Sequence, residues 1–389
     1  MSTLAIKNIG ILVTGDINAP ISKSTVIVTE DGRIAKIGGE EILEGLACDT
    51  VIDAKGMTVT PGLIDSHVHP VIGDFTPRQS MLGFIGSSLH GGVTTMISAG
   101  EAHTPGRPKD VAGTKALALL AHKSAQNARP NGVKLHGGAL ILEKGLTEAD
   151  FEELAKEGVW LVGEVGLGSV KSPEDAAPMV SWAKKNGFKV MMHTGGTSIP
   201  GSSTVTAADV MATDPDVVSH INGGPTAVAL SEVDRLVDET NLVLEIVQCG
   251  NFKVMKHAVN RAAEKGCLNR VIVGNDAPSG TGVIPLGVLR TIAYMASEAN
   301  ISAAEAICCA TGNTAHAFGL DVGVIERGCA ADFVIMDAPL GSVGTDSLSA
   351  LEAGDLPAVS MVIIDGKVLV SVSRNTPPAA KKPEIIKGA

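Results

Sequence analysis

Two histidines spaced two apart, His67 and His69 in the segment GLIDSHVHP, are the first residues in this chain whose type and spacing suggest chemistry. Residues two apart in a strand share a face, so both imidazoles can converge on one ion. Further along, Glu164 interrupts the apolar run VWLVGEVG. His193, His220 and Asp276 each fall near the end of a strand-like run: GFKVMMHTGG, DVVSHINGG and RVIVGNDAPSG. Four imidazoles and two carboxylates suit Zn2+, Fe2+ or Mn2+ better than an ion that prefers thiolates. Taken singly, each residue has an ordinary structural reading. A lone strand histidine is commonly a core residue, a buried glutamate needs only a counter-charge, and Asp276 can cap a turn. The six together, in one order and each at a strand end, point to metal binding. His90 reads as a helix-terminal residue before a glycine cap. His122, His257 and His316 lie in helix-like stretches and read as exposed or packing residues. His103 and His136 follow the second and third runs and are candidates for lining a substrate pocket. Cys249 ends a run without a soft-ligand set beside it.

Eight apolar runs alternate with helical stretches through the middle of the chain: GLIDSHVHP, GVTTMISAG, VKLHGGALI, GVWLVGEVG, GFKVMMHTGG, DVVSHINGG, LVLEIVQCG and RVIVGNDAPSG. Runs that are apolar throughout suit parallel strands buried on both faces. The intervening SPEDAAPMVSWAKKNG reads as a helix, with Ser172 as N-cap and Gly187 as stop. Eight such repeats predict an α/β fold, a (β/α)8 TIM barrel over residues 61–324 whose active site lies at the C-terminal ends of the strands. An open doubly wound sheet is the weaker alternative, because no GxGxxG follows the first strand. The two ends of the chain are β-rich. Asp31-Gly32 within STVIVTEDGRIAKIG marks a hairpin, Lys55-Gly56 within TVIDAKGMTVTPG has the same look, and Asp365-Gly366 turns AVSMVIIDGKVLVSVSR. Residues 1–60 and 325–389 are expected to pair into one small β-sandwich, since chain ends commonly lie close together. The last segment, NTPPAAKKPEIIKGA, reads as a loose tail.

The 389 residues are 44% hydrophobic and 19% charged, the composition of a globular protein. Lys and Arg number 31 against 42 Asp and Glu, a formal charge of -11, and aromatics make up 3%. That balance argues against nucleic-acid binding, whose footprint is basic. The six cysteines form no CxxC pair, which argues against a zinc ribbon or a disulfide framework. No apolar run approaches the roughly 18 residues needed to cross a bilayer, and MSTLAIKNIGILVTGDIN lacks the apolar region of a signal peptide. The expectation is a cytoplasmic protein with neither membrane nor nucleic-acid partners.

TVTPGLIDSHVHP, a histidine ending each of the fifth and sixth runs, an aspartate ending the eighth, and GVIERGCAADFVIMD followed by VIIDGKVLV resemble the amidohydrolase superfamily over essentially the whole chain. The resemblance implies a small β-domain built from both termini beside the barrel. It implies His67 and His69 at a more buried ion, His193 and His220 at a second, and Asp276 as the catalytic residue at the reacting water. The bridging position after the fourth strand, often a carboxylated lysine in binuclear members, falls here on Glu164. Lys171 lies too far along to take that place. Two divalent cations are implied, Zn2+ with Fe2+ or a second Zn2+, with mononuclear use still open; a homo-oligomer, a tetramer, is implied as well. GGVTTMISAG, GRPKDVAGTKALA, HTGGTSIPGSSTVTA, SHINGGPTA and GNDAPSGTG resemble the loops of members that hydrolyse a cyclic enamide. The substrate so implied is 6-oxo-1,4,5,6-tetrahydronicotinate, opened by metal-activated water to 2-formylglutarate and ammonia. Its carboxylate needs a partner, for which Lys171, the Gly195–Gly196–Thr197 stretch and Arg78 are candidates. The alternative is another amidohydrolase of cyclic amides or N-acyl groups, dihydroorotase-like or deacetylase-like. A non-catalytic relative fits less well, because all six positions carry ligand-type residues.

Overall fold

The computed structural model describes all residues except 1, 71–80, 103, 105, 198–202, 225, 278–283 and 388–389. Seven short strands come first: β1 (Thr3–Lys7), β2 (Ile11–Val13), β3 (Ile21–Ser22), β4 (Val26–Glu30), β5 (Arg33–Gly38), β6 (Thr50–Asp53) and β7 (Thr58–Pro61). Eight more occupy the middle of the chain: β8 (Leu63–Val68), β9 (Val93–Ser98), β10 (Lys134–His136), β11 (Leu161–Val165), β12 (Lys189–Met192), β13 (Val217–Val218), β14 (Val243–Val247) and β15 (Val271–Gly274). The last four are β16 (Phe333–Asp337), β17 (Ala358–Ile364), β18 (Lys367–Val370) and β19 (Glu384–Lys387).

The strands from the two ends of the chain form two mixed sheets, ordered β19-β6-β1-β4-β5 and β18-β17-β16-β7-β2-β3. Ile6, Ile27 and Ile52 from the first meet Leu12, Phe333 and Ile363 from the second in one buried cluster, so the sheets pack face to face. Asp31-Gly32 joins β4 to β5 with φ of 48° and 79°, and Asp365-Gly366 joins β17 to β18 with 48° and 69°. Both are the left-handed pair that a two-residue hairpin favours. Lys55-Gly56 has the same backbone, φ 52° and 75°, but does not close a hairpin. It carries the chain from β6 in one sheet to β7 in the other. The C-terminal segment is not a loose tail, since β19 pairs antiparallel with β6. Main-chain hydrogen bonds hold this edge strand while Ile385 and Ile386 stay exposed, so it leaves no apolar pattern to read.

The middle strands pair in parallel and in chain order, β8 with β9 and β10, then β11 through β15. Parallel bridges at Leu140–Val162 and Val68–Ala277 join the two groups into a ring. Every residue of β8, β9 and β15 is buried, as expected of strands covered on both faces. Helices stand between the strands. Pro173–Lys185 starts as the spacing predicts: Ser172 Oγ accepts from the Asp175 amide, and Gly187 takes φ 82° beyond its end. Gly274 lets β15 approach β8, for a Cβ there would lie 2.6 Å from that of His67. At the start of β10, Lys134 pairs with Asp332 at 2.7 Å and with Asp365 at 2.8 Å, both in the terminal unit. The N-terminal side of the ring therefore faces the terminal sheets. Among the described residues, no helix is long and apolar enough to cross a membrane.

Candidate metal centre

Alternation along β8 and just past it places Asp65, His67 and His69 on one face, all three buried. His67 Nε2 lies 3.3 Å from His69 Nε2. Glu164, on β11, places Oε2 3.6 Å from His67 Nε2 and 3.7 Å from His69 Nε2. Its Oε1 lies 2.6 Å from His220 Nε2 and 3.5 Å from His193 Nδ1. Asp276, two residues past β15, brings Oδ1 within 3.3 Å of His69 Nε2 and 3.7 Å of His67 Nε2. The six residues thus meet at one centre, with the Glu164 carboxylate in the middle. Among the described residues, two donor groups could hold a metal ion: His67 with Glu164 and His220, and His67 with His69 and Asp276. His67 belongs to both. His193 joins through Glu164 and through its ring, 4.6 Å from that of His220.

Backbone geometry helps to aim two of these side chains. His220 has φ 34° and Asp276 φ 56°, the left-handed region that non-glycine residues seldom occupy. Such strain concentrates where a site requires it. Both residues follow the ends of their strands, and the left-handed step breaks the simple alternation there. Main-chain bonds fix the seam: Asp276 donates to the His67 carbonyl at 2.9 Å and His69 to the Ala277 carbonyl at 3.0 Å.

The residues fit a divalent cation. His193 Nδ1 and His220 Nδ1 are buried without a hydrogen-bond partner among the described residues, and the contacts of Glu164 Oε1 with His220 and His193 lack hydrogen-bond geometry. Leaving such atoms unsatisfied is costly, and a cation accepting their lone pairs removes that cost at Glu164 and His193. The electrostatics agree. Burial opposes charge on His67, yet the carboxylates of Glu245 and Glu164 outweigh it and hold the imidazole well above its usual pKa. Burial pushes Glu164 up, but His220 and His67 pull it well below the usual carboxylate range. For Asp276 burial is likewise outweighed, here by the hydrogen bond from His69 and the charge of His67, and its pKa falls.

A further layer holds the histidines in place. Glu245, on β14 and fully buried, accepts from His67 Nδ1 at 2.7 Å, from Ser66 Oγ at 2.5 Å and from the His220 amide at 3.3 Å. The Gly100 carbonyl lies 2.9 Å from His69 Nδ1. Partners of this kind fix tautomer and ring orientation at metal sites. The sequence reading passed over Glu245, although a charged residue in the apolar run LVLEIVQCG is the same signal that singled out Glu164. Glu101, just beyond β9, was passed over too. It is buried, bonded to Ser98 Oγ, and burial pushes its pKa up to about 8.

Among the described residues, none of those expected to contact substrate belongs to this cluster. His136 belongs to the opposite side. Its run continues past the strand to Leu140, so His136 stands early in the run, two residues from Lys134 at the terminal sheets. Its ring packs edge-on against Trp160, and it lines a cavity of about 420 Å³ with Arg33, Arg129 and Asp321. Lys171 is exposed in the loop after β11, and Thr197 is exposed with its hydroxyl 3.2 Å from that of Thr204. Arg78 and His103 lie outside the described residues. His90 follows a helix, and its carbonyl accepts from Ser373. His122 packs beside Gln126, and His257 pairs with Asp234. His316 lies in a short helix, and Cys249 is buried beyond β14.

The amidohydrolase family pattern matches residues 58–369. The chain is 63% identical over 386 residues to an enamidase from Eubacterium barkeri, covering 99% of this chain and 100% of the relative. A crystal structure of enamidase superposes with a TM-score of 0.97 at 62% identity, covering 99% and 100% of the two chains. An imidazolonepropionase from Mycolicibacterium smegmatis is 23% identical, with 95% and 98% covered. A β-aspartyl dipeptidase from Fervidobacterium islandicum shares the fold, with a TM-score of 0.67 at 18% identity over 95% and 98% of the chains.

Proposed function

The chain belongs to the amidohydrolase family, and from that premise we propose that it hydrolyses the cyclic enamide 6-oxo-1,4,5,6-tetrahydronicotinate to 2-formylglutarate and ammonia. The observation that carries this reading is the 63% identity to an enamidase along its whole length. The ring of parallel strands reads as a (β/α)8 barrel over 61–324, and the terminal sheets as a small β-sandwich over 1–60 and 325–389. A cytoplasmic homotetramer is the working form that the resemblance implies.

His67, His69, Glu164, His193, His220 and Asp276 would hold two divalent cations, zinc with iron or a second zinc, with the Glu164 carboxylate central to the set. When bound, such a pair acidifies a water and polarises the amide carbonyl. The protein's own groups do the rest. Glu245 and the Gly100 carbonyl keep Nε2 of His67 and of His69 turned to the centre. His67, Glu164 and His220 are sealed from solvent, whereas the side chains of Asp276 and His193 are 13% and 25% exposed. Substrate therefore approaches from the side of Asp276 and His193. Asp276, kept ionised by the histidines around it, accepts a proton at its carboxylate during attack and returns it to the leaving ring nitrogen. Ring opening gives an enamine, which tautomerises and loses ammonia in water.

A substrate panel tests the assignment: the cyclic enamide acid, dihydroorotate and N-acetyl amino acids, each followed by product identification. Ammonia and 2-formylglutarate from the enamide, with little turnover of the others, is the expected result. Preferred turnover of dihydroorotate or an N-acetyl amino acid would overturn it.

A further inference from the structure

The proposed substrate carries a carboxylate that takes no part in the reaction, and the centre itself is rich in acids. We infer that Arg107 is the partner of that carboxylate, an assignment that rests on the cyclic-enamide reading above. Arg107 lies in the loop between β9 and the helix Val111–Asn127. Its Nη1 donates to Glu143 Oε1 at 2.8 Å and to the Pro108 carbonyl at 3.4 Å. The side chain of Glu143 is fully buried, and its second oxygen accepts from the Ser169 amide at 2.9 Å. The guanidinium is thus clamped, with only 11% of the side chain exposed.

Both bonds use one nitrogen. Nε and Nη2 carry three further N–H groups, and neither has a partner among the described residues. An arginine edge presenting two parallel N–H groups is the geometry that grips a carboxylate bidentately. The loop also starts beside the centre. It leaves β9 at Gly100 and Glu101, and the Gly100 carbonyl holds His69. Through Glu143 it is tied to Ser169, in the loop that follows Glu164. In that same loop, a Cβ on Gly166 would lie 3.5 Å from the His193 Cβ. Arg107 is therefore fastened to segments leading from both sides of the centre. By contrast, Lys144 is 64% exposed and paired with Asp175, and Lys109 and Lys171 are exposed.

The test compares 6-oxo-1,4,5,6-tetrahydronicotinate with its uncarboxylated ring, 3,4-dihydro-2-pyridone, in wild type, Arg107→Met and Arg107→Lys, with metal content measured for each. Arg107→Met is expected to raise KM for the acid by about 10- to 100-fold, the range for losing a charged hydrogen-bonded contact. It should change kcat/KM for the uncarboxylated ring less than about threefold, with metal content unchanged, and Arg107→Lys should recover part of the loss on the acid. Equal losses on both compounds would overturn the assignment, leaving Arg107 as the buried partner of Glu143. Wild-type inactivity on both compounds would instead overturn the parent reading, and this assignment with it.

Discussion

Replacing Glu245 with Gln changes charge at the centre with almost no change of shape. The carboxylate holds Ser66 through Oε1, and His67 and the His220 amide through Oε2. A glutamine can turn its oxygen to His67 and its NH2 to the Ser66 hydroxyl, so packing survives. What is lost is the charge behind the His67 Nδ1–H bond. Charge-assisted bonds are worth about 1.5–3 kcal/mol and neutral ones about 0.5–1.5. The difference, about 1–1.5 kcal/mol, corresponds to roughly a tenfold weaker hold on a cation, at the lower end of the 10- to 100-fold typical of such partners. The sign also depends on pH. Glu245 and Glu164 hold His67 well above its usual pKa against burial, so binding a cation must displace a proton from the wild-type imidazole near neutrality. The variant removes one of those carboxylates and lowers that pKa. Its cation affinity should therefore rise less steeply with pH, and the deficit should be largest in alkaline buffer. Competition against a chromophoric chelator at about pH 7 and pH 9, with circular dichroism to confirm folding, measures both effects. A folded Glu245→Gln protein with wild-type affinity and an unchanged pH slope would refute the reasoning.

Asp276→Asn should reduce turnover by about 10²- to 10⁴-fold, the usual worth of a positioned acid–base group; near-normal turnover by a metal-loaded variant would remove its role as proton carrier. Burial raises Glu101 from 4.5 to about 8, so between those values the folded protein keeps a proton that the unfolded chain has released. Stability must then fall as pH rises through that window, by about 1.4 kcal/mol per unit at most. Glu101→Gln removes this slope, so its urea midpoint should gain on wild type between about pH 5 and pH 8; parallel curves would contradict the prediction. Lys134→Met leaves Asp332, 1% exposed, without its cation. The loss should be about 3 kcal/mol, seen as a lowered thermal midpoint, and an unchanged midpoint would show that the contact between ring and terminal sheets does not depend on this pair.

The six residues of the centre were legible because each is a ligand-type side chain breaking an apolar run at its end, a pattern that packing alone does not require. The eight runs were equally plain, for strands buried on both faces are predominantly apolar. Glu245 carried the same signal as Glu164 but stands in the middle of LVLEIVQCG rather than towards the end of its run, where ligands are expected. His136 was read as following the third run, VKLHGGALI, but it stands inside that run, which continues to Leu140. Arg107 stands within GRPKDVAGTKALA, one of the segments that carry the resemblance, but nothing local singled it out. Its significance comes from Glu143, thirty-six positions away, and no local pattern encodes that pairing. The β19 edge strand was missed for a related reason: its hydrogen bonds are main-chain, and Glu384, Ile385 and Ile386 are exposed.

The central claim, metal-dependent opening of a cyclic enamide, is tested most directly by following the conjugated enamide absorption of 6-oxo-1,4,5,6-tetrahydronicotinate through three states of one preparation: as purified, stripped by a strong chelator, and resupplied with zinc or iron. The account predicts rapid loss of the absorption, its abolition on stripping, and its return on resupply, with ammonia formed in step. Full activity in protein shown by elemental analysis to be metal-free would contradict it.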